Sequence, residues 1–146
     1  MGKNAAMTDF VETTVSVRYA ETDQMGVVHH AAYVVWLEEG RSAWMRARGS
    51  SYAQFEKTGV RLAVSEVQIR YRQAAYYDQQ VTIRCWVDQV RSRQVIFKYE
   101  VIDTASGAVL AEACTRLIPL DTQGQVTTFS DKWRDFLSQG GAQRPH

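Results

Sequence analysis

The chain has 146 residues, 45% of them hydrophobic, with two cysteines and a formal net charge of +1. That length and composition suit one folded domain burying roughly 70% of its unfolded surface without staples. The small net charge argues against a duplex nucleic-acid binder, and no run approaches the ~20 apolar residues of a membrane span.

In chain order, residues 1–11 read as a flexible leader, and no signal peptide is expected there, because Met1 to Phe10 lacks an apolar core. Glu12 to Tyr19 alternates as a strand does, with Val15, Val17 and Tyr19 on one face and Ser16 and Arg18 on the other. From about His30 to Arg48 apolar residues recur near helical spacing, and Gly49 stops the run. Trp36, Leu37 and Trp44 make this helix unusually apolar, which predicts that it forms the core of the domain. Ser50 or Ser51 caps a short second helix, Tyr52 to Lys57, closed by Gly59.

The remainder is β until near the end. Leu62 to Arg72 is one strand and Ala74 to Gln80 a turn; Val81 to Val90 and Gln94 to Ile102 pair across Arg91-Ser92-Arg93. Thr104 to Gly107 turns again, and Ala108 to Leu120 is the last strand before Pro119 and Asp121 break it. Asp131 to Leu137 predicts a terminal helical turn, and residues 138–146 a disordered tail, leaving 12–137 as a single domain. One strand, one long apolar helix and four antiparallel strands predict an α+β domain, a twisted five-stranded sheet wrapped around the helix. Its outer face or edge strand would want a partner subunit.

Cys85 and Cys114 sit in strand-like runs without CxxC spacing, as buried side chains of a reducing compartment do, so the cytosol is expected. Two of the three histidines are adjacent and the third is the last residue, so no metal site is expected.

The informative segment runs from Tyr19 to Tyr33. Asp23 falls in a loop within seven residues of a helix opening at His29-His30, where free backbone N–H groups and the positive dipole end gather. A carboxylate beside amides near Val28 to His30, left unpaired in a first turn, can attack an acyl carbonyl and hold its oxygen. Gly26 would let the backbone approach a substrate without a Cβ in the way. The plainer role for a loop aspartate is to hold a turn. For His30 it is to cap or pack at the helix start, and for Tyr19 to be a strand-end core aromatic.

Tyr19, Glu21-Thr22-Asp23, Gly26-Val27-Val28, His30 and Tyr33, followed by an aromatic-rich helix with Glu38 and Arg41, resemble the hotdog fold. Within it the likeness is to the 4-hydroxybenzoyl-CoA thioesterase-like family, closest to the bacterial acyl-CoA thioester hydrolases associated with the Tol-Pal system. Val67 to Tyr71 and Tyr77 to Val81 look like that family's second and third strands, and the similarity spans about Val15 to Leu120.

The resemblance implies an acyl-CoA thioesterase with no metal or redox cofactor, in which Asp23 is nucleophile or general base. The family's histidine falls on His30 and its tyrosine on Tyr19; in the hydroxybenzoyl branch the His30 position supports the thioester oxygen through its backbone N–H. His29 stands where close relatives often carry tyrosine. Gly26, Val27, Val28 and Tyr33 would then meet the acyl group with Trp36, and Arg91 and Arg93 the phosphates of coenzyme A. A solvated turn is the plainer reading of that arginine pair. Arg70 and Arg72, on one strand face with Gln68, would face solvent or a neighbouring subunit.

Glu38 and Glu39 rival Asp23, since other hotdog enzymes use a helix carboxylate; otherwise they face a partner subunit or pair with Arg41 or Arg46. The resemblance also implies a homo-oligomer, dimer or tetramer, with active sites at subunit interfaces. Competing readings are an acyl-carrier-protein thioesterase, an aromatic hydrolase of the dihydroxynaphthoyl-CoA type, and a non-catalytic module that binds acyl-CoA.

Overall fold

A computed structural model describes residues 10–138, so most of the expected leader and tail lies outside the described residues. The strands are β1 (Val11–Ser16), β2 (Arg61–Tyr71), β3 (Gln80–Arg91), β4 (Gln94–Asp103) and β5 (Val109–Leu120). The helices are α1 (His30–Ala47), α2 (Tyr52–Glu56) and α3 (Asp131–Ser138). All pairings are antiparallel, in the spatial order β1-β3-β4-β5-β2, which is the five-stranded sheet expected.

Residues opposite one another across an antiparallel ladder share a face, so the register identifies the inner surface. One row runs Thr13, Ile83, Val101, Ala111, Tyr71; the next runs Val11, Cys85, Tyr99, Ala113, Ile69. α1 lies against β1, β3 and β4 and presents Tyr33, Trp36, Leu37, Trp44 and Met45 to this surface, all buried. The approach is close at Gly40, where a Cβ would stand 2.7 Å from Ile83 Cγ2. Only glycine fits at that depth. Arg41, also buried, donates to the hydroxyls of Tyr52 and Tyr99, which ties α1 to α2 and β4. At the C-terminal end of α1, Phe55, Phe129, Trp133 and Phe136 pack edge to face with one another and with Trp44. That end is sealed.

The other end of α1 is shaped by a departure from the expected alternation. β1 stops at Ser16, and Tyr19 opens a single 3₁₀ turn, Tyr19–Glu21, instead of ending a strand. Val17 N–H bonds to Gln79 O, and the Glu21 carboxylate accepts Arg18 N–H at 2.8 Å, so the chain tightens there. The outer sheet face carries ion pairs, Arg84 with Glu12 and Glu100, Lys98 with Asp88, and Arg116 with Glu66. Such exposed pairs contribute about 0–1 kcal/mol each. Among the described residues no helix is long and apolar enough to cross a membrane.

Candidate active site

Residues 22–28 form a small closed loop. Thr22 bridges Val28, Asp23 N–H donates to Val27 O at 2.9 Å, and Gly26 N–H returns to Asp23 O at 3.0 Å. Gly26 has φ +78°, so the turn itself requires glycine; a Cβ there would meet nothing within 4 Å. Within this protomer the residue serves the turn, not a close approach.

Asp23 is exposed at the loop's surface, and its Oδ1 accepts Met25 N–H at 2.8 Å and Val27 N–H at 3.1 Å. These two bonds hold the carboxyl below its ordinary range, with a smaller contribution from the charge of His29. Oδ1 therefore fills the turn-holding role. Oδ2 accepts nothing from the described residues and is the oxygen free to react.

The helix start differs from the sequence expectation in one respect. Val28 N–H donates to Ala75 O at 2.9 Å and His29 N–H to Glu21 O at 2.8 Å, so neither is available. These acceptors come from elsewhere in the fold. The helix N-cap is His29, which makes no side-chain cap, and the N–H groups of His30 and Ala31 find no acceptor among the described residues. Of the amides expected to be unpaired, Val28 to His30, only that of His30 is left over, joined by Ala31.

Below this turn, Glu21 holds the assembly from inside. It is 8% exposed and its carboxylate accepts Trp36 Nε1–H at 3.1 Å as well as Arg18 N–H. One side chain thus joins the 3₁₀ turn to the second turn of α1.

A cavity of about 230 Å³ lies beside the helix start. Val27, Val28, His30 and Tyr33 line it, so Val27, Val28 and Tyr33, expected to form an acyl slot, share one wall. Its other wall, which sequence reasoning missed, is the end of β2 and the following turn, Tyr71 to Ala74. The His30 and Tyr71 rings stack at 4.5 Å and 22°, and Tyr71 meets buried Tyr33 edge to face at 4.9 Å. Burial raises the pKa of both phenols, so they stay protonated at neutral pH. Trp36, expected here, packs on Tyr33 and does not line the cavity.

Other sequence candidates lie apart from this cluster. Tyr19 is 76% exposed with its ring edge-on to Tyr77, and among the described residues no hydrogen bond joins it to the Asp23 carboxylate. Glu38 and Glu39 are exposed on α1 and form no ion pair with Arg41 or Arg46 among the described residues. Glu38 lies about 12 Å along the helix axis from His30. Arg91 and Arg93 are exposed at the β3–β4 turn, separated from the Gln80 end of β3 by ~36 Å of strand at about 3.3 Å per residue. Arg72 pairs with Glu112 at 2.8 Å, and Arg70 faces outward with Gln68. A larger concavity of about 570 Å³ lies on the outer sheet face, lined by Trp86, Lys98, Glu100, Glu112 and Cys114 among others. Its acids Glu100 and Glu112 are already ion-paired, and it is bordered by strands, without a helix start. Among the described residues no group of three or more His, Cys, Asp or Glu is placed to hold a metal ion.

The turn at Asp23 has a counterpart at the other end of the sheet. Asp121 Oδ1 accepts the amides of Gln123 and Gln125, both at 2.9 Å, while Asp121 N–H bonds to Gln125 O and Gly124 N–H to Asp121 O. Gly124 has φ +80°, and Leu120 bridges Val126 as Thr22 bridges Val28.

Comparison with known proteins places this arrangement. A family model described as the Thioesterase-like superfamily matches residues 17–137. YneP of Bacillus subtilis, whose name assigns it provisionally as an acyl-CoA thioesterase, is 34% identical over 75% of this chain and 78% of its own. The acyl-CoA thioester hydrolase YbgC of Escherichia coli O157:H7 is 27% identical over 73% and 79%. Among solved structures, a DHNA-CoA thioesterase from Staphylococcus aureus superposes with a TM-score of 0.85 at 28% identity, covering 91% of each chain.

Proposed function

The chain belongs to the Thioesterase-like superfamily, and from that premise we propose that it hydrolyses acyl-CoA thioesters with Asp23 supplying the attack. Its sheet and central helix are the hotdog fold expected. The observation that carries the reading is one loop holding an ionised carboxylate with a free Oδ2 and leading directly into two unpaired helix amides.

In the proposed reaction the thioester oxygen rests on the N–H groups of His30 and Ala31, where negative charge develops and the helix dipole favours it. One such donor is commonly worth about 10²–10³ in kcat. Oδ2 either bonds to the carbonyl carbon, expelling the thiolate and leaving a mixed anhydride, or takes a proton from the water that attacks. The leaving thiol, with a pKa of about 8.5, departs without an acid's help. Val27, Val28 and Tyr33 line the acyl pocket, and the His30 ring serves as a wall stacked on Tyr71.

The same geometry supports assembly with a second copy. β2 is an edge strand of 11 residues, and Val64 and Val67 on it, like Val34 and Val35 on α1, are exposed. Arg91 and Arg93 would reach the phosphates of a coenzyme A bound at Asp23 only across a subunit boundary, and that contact weakens as salt rises. An aromatic acyl group is a second reading of the substrate, favoured by the ring pair of His30 and Tyr71.

The test is thiol release from short, long and aromatic acyl-CoA, with Asp23→Asn beside the wild type. Asp23→Asn should lose about 10²–10⁴ in kcat. Unchanged turnover overturns the mechanism, and no turnover by the wild type with any member favours a binding module. Because the Asp23 carboxyl is held low, its ionised form persists as pH falls past the usual value of 3.8. kcat/KM should therefore stay level down to pH ~4, whereas a limb near ~6.5 would report an imidazole. After a single turnover in ¹⁸O water, label on Asp23 marks the anhydride route with water attacking the Asp23 carboxyl carbon, whereas general-base attack, or attack on the acyl carbon, sends the label to the product acid alone.

A further inference from the structure

We propose that Tyr71 is the specificity-determining residue of the acyl pocket, its ring setting how long an acyl group the pocket admits. This rests on the thioesterase reading above and extends it to a residue outside the Tyr19–Tyr33 segment.

The argument begins with size. An apolar cavity of about 150 Å³ holds one benzene molecule. The cleft beside α1, at about 230 Å³, has room between its walls for a single ring or a short chain, with anything longer passing out of its open side. Tyr71 closes it from the side facing the first turn of α1, and its ring is held in place twice. One face stacks on the His30 imidazole at 4.5 Å, and the ring meets Tyr33 edge to face at 4.9 Å.

The sheet beside it explains why this ring, and not its neighbours, sets the limit. Tyr71 pairs with Ala111 across the β2–β5 ladder, and Ala113 follows two residues on along the same face of β5. Both are buried methyl groups. Shortening Tyr71 would leave two alanine-sized side chains side by side, opening the pocket over β5. Tyr71 is 41% exposed at the end of an edge strand and is not among the fully buried residues between α1 and β3, so its shortening leaves that core intact.

The experiment compares wild type, Tyr71→Ala and Tyr71→Phe in hydrolysis of benzoyl-CoA, butanoyl-CoA and dodecanoyl-CoA. In parallel it measures binding of the matching non-hydrolysable S-alkyl and S-benzyl thioethers of coenzyme A. Tyr71→Ala should raise the dodecanoyl-to-butanoyl ratio of kcat/KM at least tenfold and shift the thioether affinities the same way, with Tyr71→Phe like the wild type. A ratio within twofold of wild type in Tyr71→Ala overturns the proposal, as does an equal shift in Tyr71→Phe, which would assign the effect to the hydroxyl. If the wild type releases no thiol, the thioesterase reading fails while the thioether series still decides the role of Tyr71. Equal affinities along that series, or no binding of any member, overturn it. Tyr71→Leu replaces the alanine variant if the latter does not fold, with the same ratio as readout.

Discussion

The loops at Asp23 and Asp121 have the same backbone bonds, the same doubly bonded carboxylate oxygen and the same left-handed glycine. What differs is where each chain goes next. Beyond Val28 the backbone enters α1 directly, with no side chain capping its first turn and two amides left over. Beyond Val126 it runs extended through Thr127, which donates to Pro119 O, and Phe129, which donates to Ser92 O. α3 then opens with Trp133 N–H bonded to Ser130 Oγ. A bonded aspartate in a tight turn is therefore not a site by itself. The uncapped helix start beside Asp23 is what sets it apart from Asp121.

The largest expected effect comes from treating the two loops alike. Asp23→Asn and Asp121→Asn should lose similar, modest stability, about 0.5–1.5 kcal/mol for a weakened turn bond. Only Asp23→Asn should lower kcat by about 10²–10⁴. Comparable losses of turnover in both variants would mean that the turn, not the reacting oxygen, is what matters, and paired thermal melts with thiol-release rates decide it.

A smaller effect isolates the amides. His30 is the first helical residue, a position that tolerates proline because its N–H has no helical partner, and His29 is already extended at φ −67°, ψ 148°. His30→Pro removes the donor and should cost about 10²–10³ in kcat with the helix intact by circular dichroism. His30→Ala keeps the donor and removes the ring, so it serves as the reference. Equal losses in the two variants would transfer the effect from the backbone to the imidazole.

Smallest is the support beneath the turn. Glu21→Gln sets an amide N–H₂ against one of the donors now bonded to its carboxylate, and should cost about 1–3 kcal/mol of stability. Its backbone carbonyl, which holds His29 N–H, is unchanged, so kcat should fall less than tenfold. A hundredfold loss with normal melting would instead place Glu21 in the reaction.

Most of the architecture was legible because its signals are local. β2 to β5 lie within a residue of where alternation and turn residues put them, and α1 begins at His30 as its periodicity indicated. β1 ended early because Glu21 competes for Arg18 N–H, a pairing that alternation does not register. The candidate site was legible where its residues are adjacent in sequence, Asp23 to Tyr33. The engaged amides of Val28 and His29 were not, since Ala75 O and Glu21 O reach them only in the folded chain. Nor was Tyr71, 41 positions along from His30. Its one local sign was its place in the Val67, Ile69, Tyr71 alternation at the end of β2, two residues short of a turn.

Gly40 carries a consequence well away from the acyl pocket. About 15 Å separates it along α1 from His30, yet it sets how deeply the whole rod is seated, because any larger residue must push off Ile83. A helix is stiff, so lifting it at that fulcrum also displaces the amides at its tip. A misplacement of about 1 Å is enough to slow a reaction a hundredfold. In the proposed reaction, the geometry at the reacting carbon is thus set partly from the middle of the core.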